Sequence, residues 1–319
     1  MNKNLVSIVL LILLTSSIIT YIIFNNKKSE TIIIEQPIIK NFNGIQKHHI
    51  NLGDYVESTP FVWKNELKYL TINRELNSNE PTLSIFDFKT KNKIIDFGRG
   101  INLASALVKD EILYVYGTKK WGQKGESELY VISSKDLQTF SEPELIYKAP
   151  PGLSFFNNTV TYNENDKKFI MALETDEDFL AAFSIRFFES YDNKNWNPVH
   201  DQVFGKNVYV ACPAIRYLNG NYYMWYLVER RNDPNCQTCI TYVVNLAQSS
   251  DLINWKISNH DFLVPNPPHE GINSSDMDLT EFNNQVYIFY SVGDQATWTK
   301  LKYATYNGNL EKLVSNFFP

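Results

Sequence analysis

The chain is poor in cysteine: Cys212, Cys236 and Cys239 are the three in 319 residues. So small and odd a number excludes a disulfide framework. Cys236 and Cys239 have the spacing of half a zinc ribbon, but a structural zinc takes four ligands and no second pair accompanies them. A local disulfide or two loop thiols are the remaining readings. Positive charge is also scarce, with 30 Lys and Arg against 35 Asp and Glu, a net charge of −5. Nothing there forms the basic stripe that nucleic acid requires. Glycine and proline, 13 of each, are too few for a fibrous or low-complexity chain. After Phe24 no long helical period occurs, and long apolar runs are confined to one.

That run is residues 5–24, apolar-dominated and uncharged, with Lys3 before it and Lys27 and Lys28 after it. Its length matches a bilayer span. A cleaved signal peptide ending near Thr15-Ser16-Ser17 is the rival reading. The apolar run continues beyond that site through Phe24, which suits an uncleaved anchor. Residues 1–28 are therefore expected to be a signal-anchor or single transmembrane helix, with the following domain on the exported side. Residues 29–50 read as a tether, and residues 51–319 as the folded domain.

What this domain has in abundance is aromatic residues: the chain carries 20 Phe, 19 Tyr and 6 Trp. Aromatic enrichment favours strands. One pattern recurs five times: a polar or small start, a strand, a tight turn and an aromatic-rich strand. The first strands open at Ser58-Thr59-Pro60, Ala104-Ser105-Ala106, Asn157-Asn158-Thr159, Ala211-Cys212-Pro213 and Ser275-Asp276-Met277. Their turns fall at Lys64-Asn65-Glu66, Lys109-Asp110-Glu111, residues 163–167, Asn219-Gly220 and Asn283-Asn284. Such turns between apolar runs signal hairpins. Three hairpins are followed by a second pattern, Ser134-Lys135-Asp136, Ser190-Tyr191-Asp192 and Ser250-Asp251, each with an aromatic residue four positions beyond the Asp: Phe140, Trp196 and Trp255. These read as turns between a third and a fourth strand, capped by the aspartate. Four strands per unit, five times over, predict an all-β, five-bladed β-propeller of four-stranded antiparallel blades. A β-sandwich would not require five similar double hairpins. The last unit is short, and a strand from residues 31–34 or 46–50 is expected to close the ring.

In such a blade the first strand starts at the central funnel and the second returns to it. The starts offer Glu57, Thr59, Asn157, Asn158, Cys212, Asp276 and Asp278. The returns offer Arg74, Glu174, Glu229, Arg230 and Asp294, with Trp298 on a nearby loop. Asp276 and Asp278 are two apart on a strand and are expected to share a face. Carboxylates, arginines and aromatic rings around a concave opening suit a sugar pocket. Candidate catalytic residues are Asp276, Asp278, Glu229 and Glu174. Candidate binding residues are Glu57, Thr59, Arg74, Asn157, Asn158, Arg230, Asp294 and Trp298. Cys212 reads as a small core residue rather than a nucleophile, since the repeats place no histidine beside it.

On these strand openings the chain resembles the five-bladed propeller glycosidases, notably glycoside hydrolase families 43, 62, 32 and 68, over roughly residues 50–319. The resemblance implies a carbohydrate-active funnel and no required cofactor, and it allows a divalent cation in the channel, although no ligand cluster demands one. It also implies three acidic positions at blade starts. Here those positions carry Thr59 before Pro60, Asn157, and Ala211 before Cys212-Pro213. All three lack an ionisable acid, so the family's usual proton donor is missing. Two readings stay open: carboxylates relocated within the funnel of a glycoside hydrolase acting on an extracellular or envelope glycan, or a propeller that binds glycan or protein without cleaving.

Overall fold

A computed structural model describes residues 44–73, 80–180, 183–206, 208–231 and 240–318, all within one compact unit, Ile38–Pro319. Residues 5–24 and 31–34, Arg74, Cys236 and Cys239 lie outside the described residues. Among the described residues no helix is long and apolar enough to cross a membrane.

The predicted turns set the registers. Trp63 faces Glu66, Lys109 faces Ile112, Leu218 faces Asn221 and Phe282 faces Gln285, so four of the five first hairpins close with two-residue loops. Both loop residues have positive φ in each: Lys64 and Asn65, Asp110 and Glu111, Asn219 and Gly220, Asn283 and Asn284. That is the type I′ geometry, whose twist matches paired strands. The second predicted turn is also present. Asp136 accepts from the backbone of Gln138 and Thr139, Asp192 from Lys194 and Asn195, and Asp251 from Ile253 and Asn254. In the third of these the bonded serine is Ser249 rather than Ser250.

Five four-stranded antiparallel blades result. Blade 1 holds β2 (Val56–Trp63), β3 (Glu66–Asn73), β4 (Thr82–Asp87) and β5 (Lys93–Phe97). Blade 2 holds β6 (Asn102–Lys109), β7 (Ile112–Lys119), β8 (Glu128–Ser134) and β9 (Glu144–Lys148). Blade 3 holds β10 (Leu153–Asn163), β11 (Lys168–Glu177), β12 (Ser184–Ser190) and β13 (Asn197–Pro198). Blade 4 holds β14 (Val210–Leu218), β15 (Asn221–Arg231), β16 (Ile240–Ser249) and β17 (Lys256–Ile257). Blade 5 holds β18 (Asn273–Phe282), β19 (Gln285–Gly293), β20 (Thr299–Asn307) and, from the N-terminal side, β1 (Ile45–Gly53). The 46–50 segment thus closes the ring. A short helix, α1 (Leu310–Ser315), is capped by Asn309 and buries Leu313 and Val314.

The hydrophobic core is divided into five clusters, one between each pair of neighbouring blades. Leu70 and Ile85 meet Ile101 and Val115, and Tyr116 and Leu129 meet Phe155 and Met171. Phe187 meets Met224, Trp225 meets Ile288, and Phe289 meets Tyr69. The fifth cluster joins the last blade to the first, which makes the arrangement circular. Each large side chain so buried contributes about 1.5–3 kcal/mol.

Closure is also ionic. Lys47 of β1 pairs with the buried Glu270, which accepts from the Tyr290 hydroxyl at 2.8 Å and the Asn266 amide at 2.9 Å. Removing the cation leaves a buried carboxylate short of its partner, which costs several kcal/mol. Lys47→Met is expected to lower unfolding free energy by about 3 kcal/mol in denaturant titration. The Lys47→Met/Glu270→Gln double variant should lose less than the two singles together. Additive losses would contradict the coupling.

Candidate active site

The inner strand of every blade carries a bulge at one level. Between the pairs Val56–Ile72 and Thr59–Leu70, residues 57 and 58 face Thr71 alone. The same two-against-one mismatch sets 103 and 104 against Gly117, 156 and 157 against Glu174, 212 and 213 against Tyr226, and 276 and 277 against Tyr290. Glu57, Leu103, Cys212 and Asp276 take positive φ of 48–53° at the first bulge position. Leu103 shows that this backbone belongs to the fold and not to the chemistry. The bulge re-aims whichever side chain it carries.

Those re-aimed residues and their neighbours line one cleft with about 310 Å³ of empty space, part of it open to solvent. Glu57, Thr59, Asn157, Asn158, Asp276 and Asp278, all singled out in the sequence, lie on its wall with Ser58, Ser105 and Cys212. Asp276 and Asp278 do not act as a simple alternating pair, because the bulge interrupts the alternation between them. Asp278 accepts from the Arg216 guanidinium at 2.5 Å and from the Leu279 amide. Asp276 accepts from the Cys212 thiol at 3.1 Å and the Ser275 hydroxyl at 2.6 Å. Asn158 bridges blades by donating to the Leu103 carbonyl at 2.9 Å and accepting from Ser105 at 3.0 Å.

Glu174 lies just behind this wall, 3 % exposed. Its Oε2 accepts from the Cys212 amide at 2.8 Å and from Asn157 Nδ2 at 3.1 Å. Burial pushes its carboxyl up to about 7, and the Asp276 charge adds to that, while the two hydrogen bonds oppose it. Burial also pushes the Cys212 thiol well up, aided by the Asp276 and Glu174 carboxylates. The thiol therefore stays protonated and serves as a donor to Asp276, not as a nucleophile.

The other candidates stand apart from the cleft wall. Glu229 pairs with Arg231 at 3.6 Å beside Tyr242. Arg230 pairs with the buried Asp261 at 2.8 Å. Asp294 caps its own loop, accepting from the backbone of Ala296, Thr297 and Trp298. Trp298 is 38 % exposed, and its ring comes within 3.1 Å of where a Cβ would sit on Gly271. Arg216 and Tyr209 were not anticipated. Arg216 sits in mid-strand, where position gives no hint of its partner. Burial raises the Tyr209 hydroxyl, with the nearby Glu174 and Asp276 carboxyls contributing. Among the described residues no group of three or more His, Cys, Asp or Glu is placed to hold a metal ion.

No family model and no curated protein matches the chain by sequence. Solved structures share its fold. An α-L-arabinofuranosidase of Fusarium graminearum, complexed with an iminosugar inhibitor, superposes with a TM-score of 0.59 at 12 % identity, covering 88 % of this chain and 100 % of that one. An α-L-arabinanase of Cellvibrio cellulosa, complexed with arabinohexaose, gives 0.56 at 9 % identity, covering 83 % and 98 %. The native arabinanase of Bacillus subtilis gives 0.55 at 10 % identity, covering 83 % and 97 %. In fold the chain resembles the propeller glycosidases.

The raised Glu174 carboxyl makes a prediction about stability. A carboxyl titrating near 7 when folded and near 4.5 when unfolded contributes fully below pH 4.5, and that contribution is lost as pH rises through 7. Glu174→Gln keeps an oxygen for both donors and removes the titration. The variant should gain on the wild type by about 3 kcal/mol between roughly pH 5 and 8. Parallel pH profiles of thermal unfolding would contradict the assignment.

Proposed function

We propose that the chain is a carbohydrate-active propeller, a glycoside hydrolase whose acidic groups have moved within the funnel. The observation that carries this reading is the cleft wall itself. It presents carboxylates, amides and hydroxyls from the inner strands of all five blades. A wall that offers both donors and acceptors suits a ligand rich in hydroxyls. The fold shared with arabinan-degrading enzymes supports the same class.

In this reading Asp276 and Glu57 are the carboxylates that face the sugar, on adjoining blades. One protonates the glycosidic oxygen as the bond to the anomeric carbon breaks. The other takes a proton from the incoming water or attacks the anomeric carbon, and their separation sets the stereochemical outcome. Glu174 holds a proton behind the wall and acts on Asp276 through Cys212, as a positioning residue. Asp278, neutralised by Arg216, holds the inner strands of blades 4 and 5 together. Residues 5–24 would tether the propeller to a membrane on its exported side.

Wild-type protein incubated with a panel of plant and microbial polysaccharides is expected to release reducing sugar from at least one. Asp276→Asn should lower that release by at least about 100-fold with an unchanged unfolding midpoint. Retention of a glycan without release would favour the binding propeller, as the uncharged Thr59, Asn157 and Ala211 would suit. Neither release nor retention would overturn the carbohydrate reading.

A further inference from the structure

Five aromatic rings run in an unbroken line across three blades beside the cleft. Trp121, in the β7–β8 loop of blade 2, contacts Phe156 of blade 3 at 6.0 Å between centroids. Phe156 contacts Phe183 at 4.7 Å, Phe183 contacts Tyr209 at 5.7 Å, and Tyr209 contacts Tyr242 of blade 4 at 6.0 Å. The line belongs to the funnel: Phe156 occupies the bulge beside Asn157, and Tyr209 feels the charges of Glu174 and Asp276. None of the five is fully buried, and Trp121 is 49 % exposed. Propeller cores bury their rings between blades, as Phe155 and Phe187 do here at 0 and 1 % exposure. A row left partly open, with Trp121 half exposed at its end, needs another explanation.

The rings are also held in place. At both crossings a backbone hydrogen bond joins neighbouring blades, Gly122 N to the Phe155 carbonyl at 3.2 Å and Val210 N to the Phe183 carbonyl at 3.4 Å, and beyond the last ring Tyr242 N bonds the Ile272 carbonyl of blade 5 at 2.8 Å. Gly122 has φ +71°, and a Cβ there would meet the Phe156 ring at 3.3 Å, so glycine lets the Trp121 loop lie over the next blade. Lys124 of the same loop pairs with Asp178 of blade 3 at 2.7 Å. A surface fixed in this way pays little ordering entropy when it binds.

We propose that this row is a rail for a chain of sugar rings, so that the ligand is an extended oligosaccharide or polysaccharide rather than a single terminal sugar. The inference rests on the carbohydrate reading of the cleft. Neighbouring rings meet tilted or edge-on, at 55–66° between planes, so the row offers faces and edges in turn; an offered face takes the C–H face of a pyranose or furanose ring, and the hydroxyl edges stay in water or turn toward the cleft. A neutral polymer fits better than an anionic one, because Lys124 is shared by Asp176 and Asp178 and Glu229 pairs with Arg231, which leaves no surplus cation flanking the row.

The test is calorimetric binding of the full-length protein to arabino-, xylo-, cello- and chito-oligosaccharides, each as disaccharide and hexasaccharide. At least one series should bind about tenfold more tightly as the hexamer, with a change in Trp121 fluorescence. In Trp121→Ala/Tyr242→Ala the ratio of hexamer to dimer affinity should collapse toward one, and Trp121→Phe/Tyr242→Phe should restore it, which separates a lost rail from a lost fold. Equal affinity for dimer and hexamer, or a length preference that survives the alanine pair, would overturn the rail while leaving the cleft as a sugar site. Failure of every series to bind, or binding of a protein partner on these rings instead, would overturn both the rail and the reading beneath it.

Discussion

The structure depends on one constraint: each inner strand must carry an extra residue at the funnel level without breaking its sheet. The two-against-one bulge meets it five times over, and type I′ turns at the far end fix the register from which it is counted. The bulge belongs to the fold, and its positive φ is held by side chains as different as Glu57, Leu103, Cys212 and Asp276. The leucine, Leu103, is buried and lines no part of the cleft. An aspartate or glutamate gives a cleft with charge in it. Chemistry in this chain is a choice of side chain on a backbone that is already bent toward the axis.

The residue opposite each bulge is the second half of the design. Thr71, Gly117, Tyr226 and Tyr290 occupy that place in four blades, and Glu174 in the third. A carboxyl in this position is surrounded on all sides and must either shed its charge or find donors. Glu174 does some of both, bonded by Cys212 and Asn157 yet raised to about 7. The neutral Thr59 and Asn157 thus line the same cleft as the carboxyls of Glu57 and Asp276, with Glu174 just behind it.

Much of this was legible in the sequence, and the reasons are local. Asn219-Gly220 and Asn283-Asn284 announce hairpins because their backbones tolerate positive φ, and the aromatic second strands announce the faces buried between blades. The strand starts follow, which is how Glu57, Thr59, Asn157, Asn158, Asp276 and Asp278 were brought to one place. The bulge was not legible, since an extra residue leaves no mark in a pattern of two. For that reason Asp276 and Asp278 read as equivalents, although one meets a thiol and the other an arginine. Glu229 and Glu174 likewise looked alike as strand returns, and differ because only Glu174 faces a bulge. The aromatic row was hidden for another reason: its members come from five separate segments, and their adjacency is a product of blade packing.

The claim at the centre of this account is that the bulged funnel receives a sugar. Its most direct test is a crystal structure of the protein soaked with the oligosaccharide it retains best. A sugar ring in the cleft, with one hydroxyl within hydrogen-bonding distance of the Glu57 carboxylate and another of Asp276, is the predicted result. A sugar seated elsewhere on the propeller, with the cleft holding only water, would contradict it.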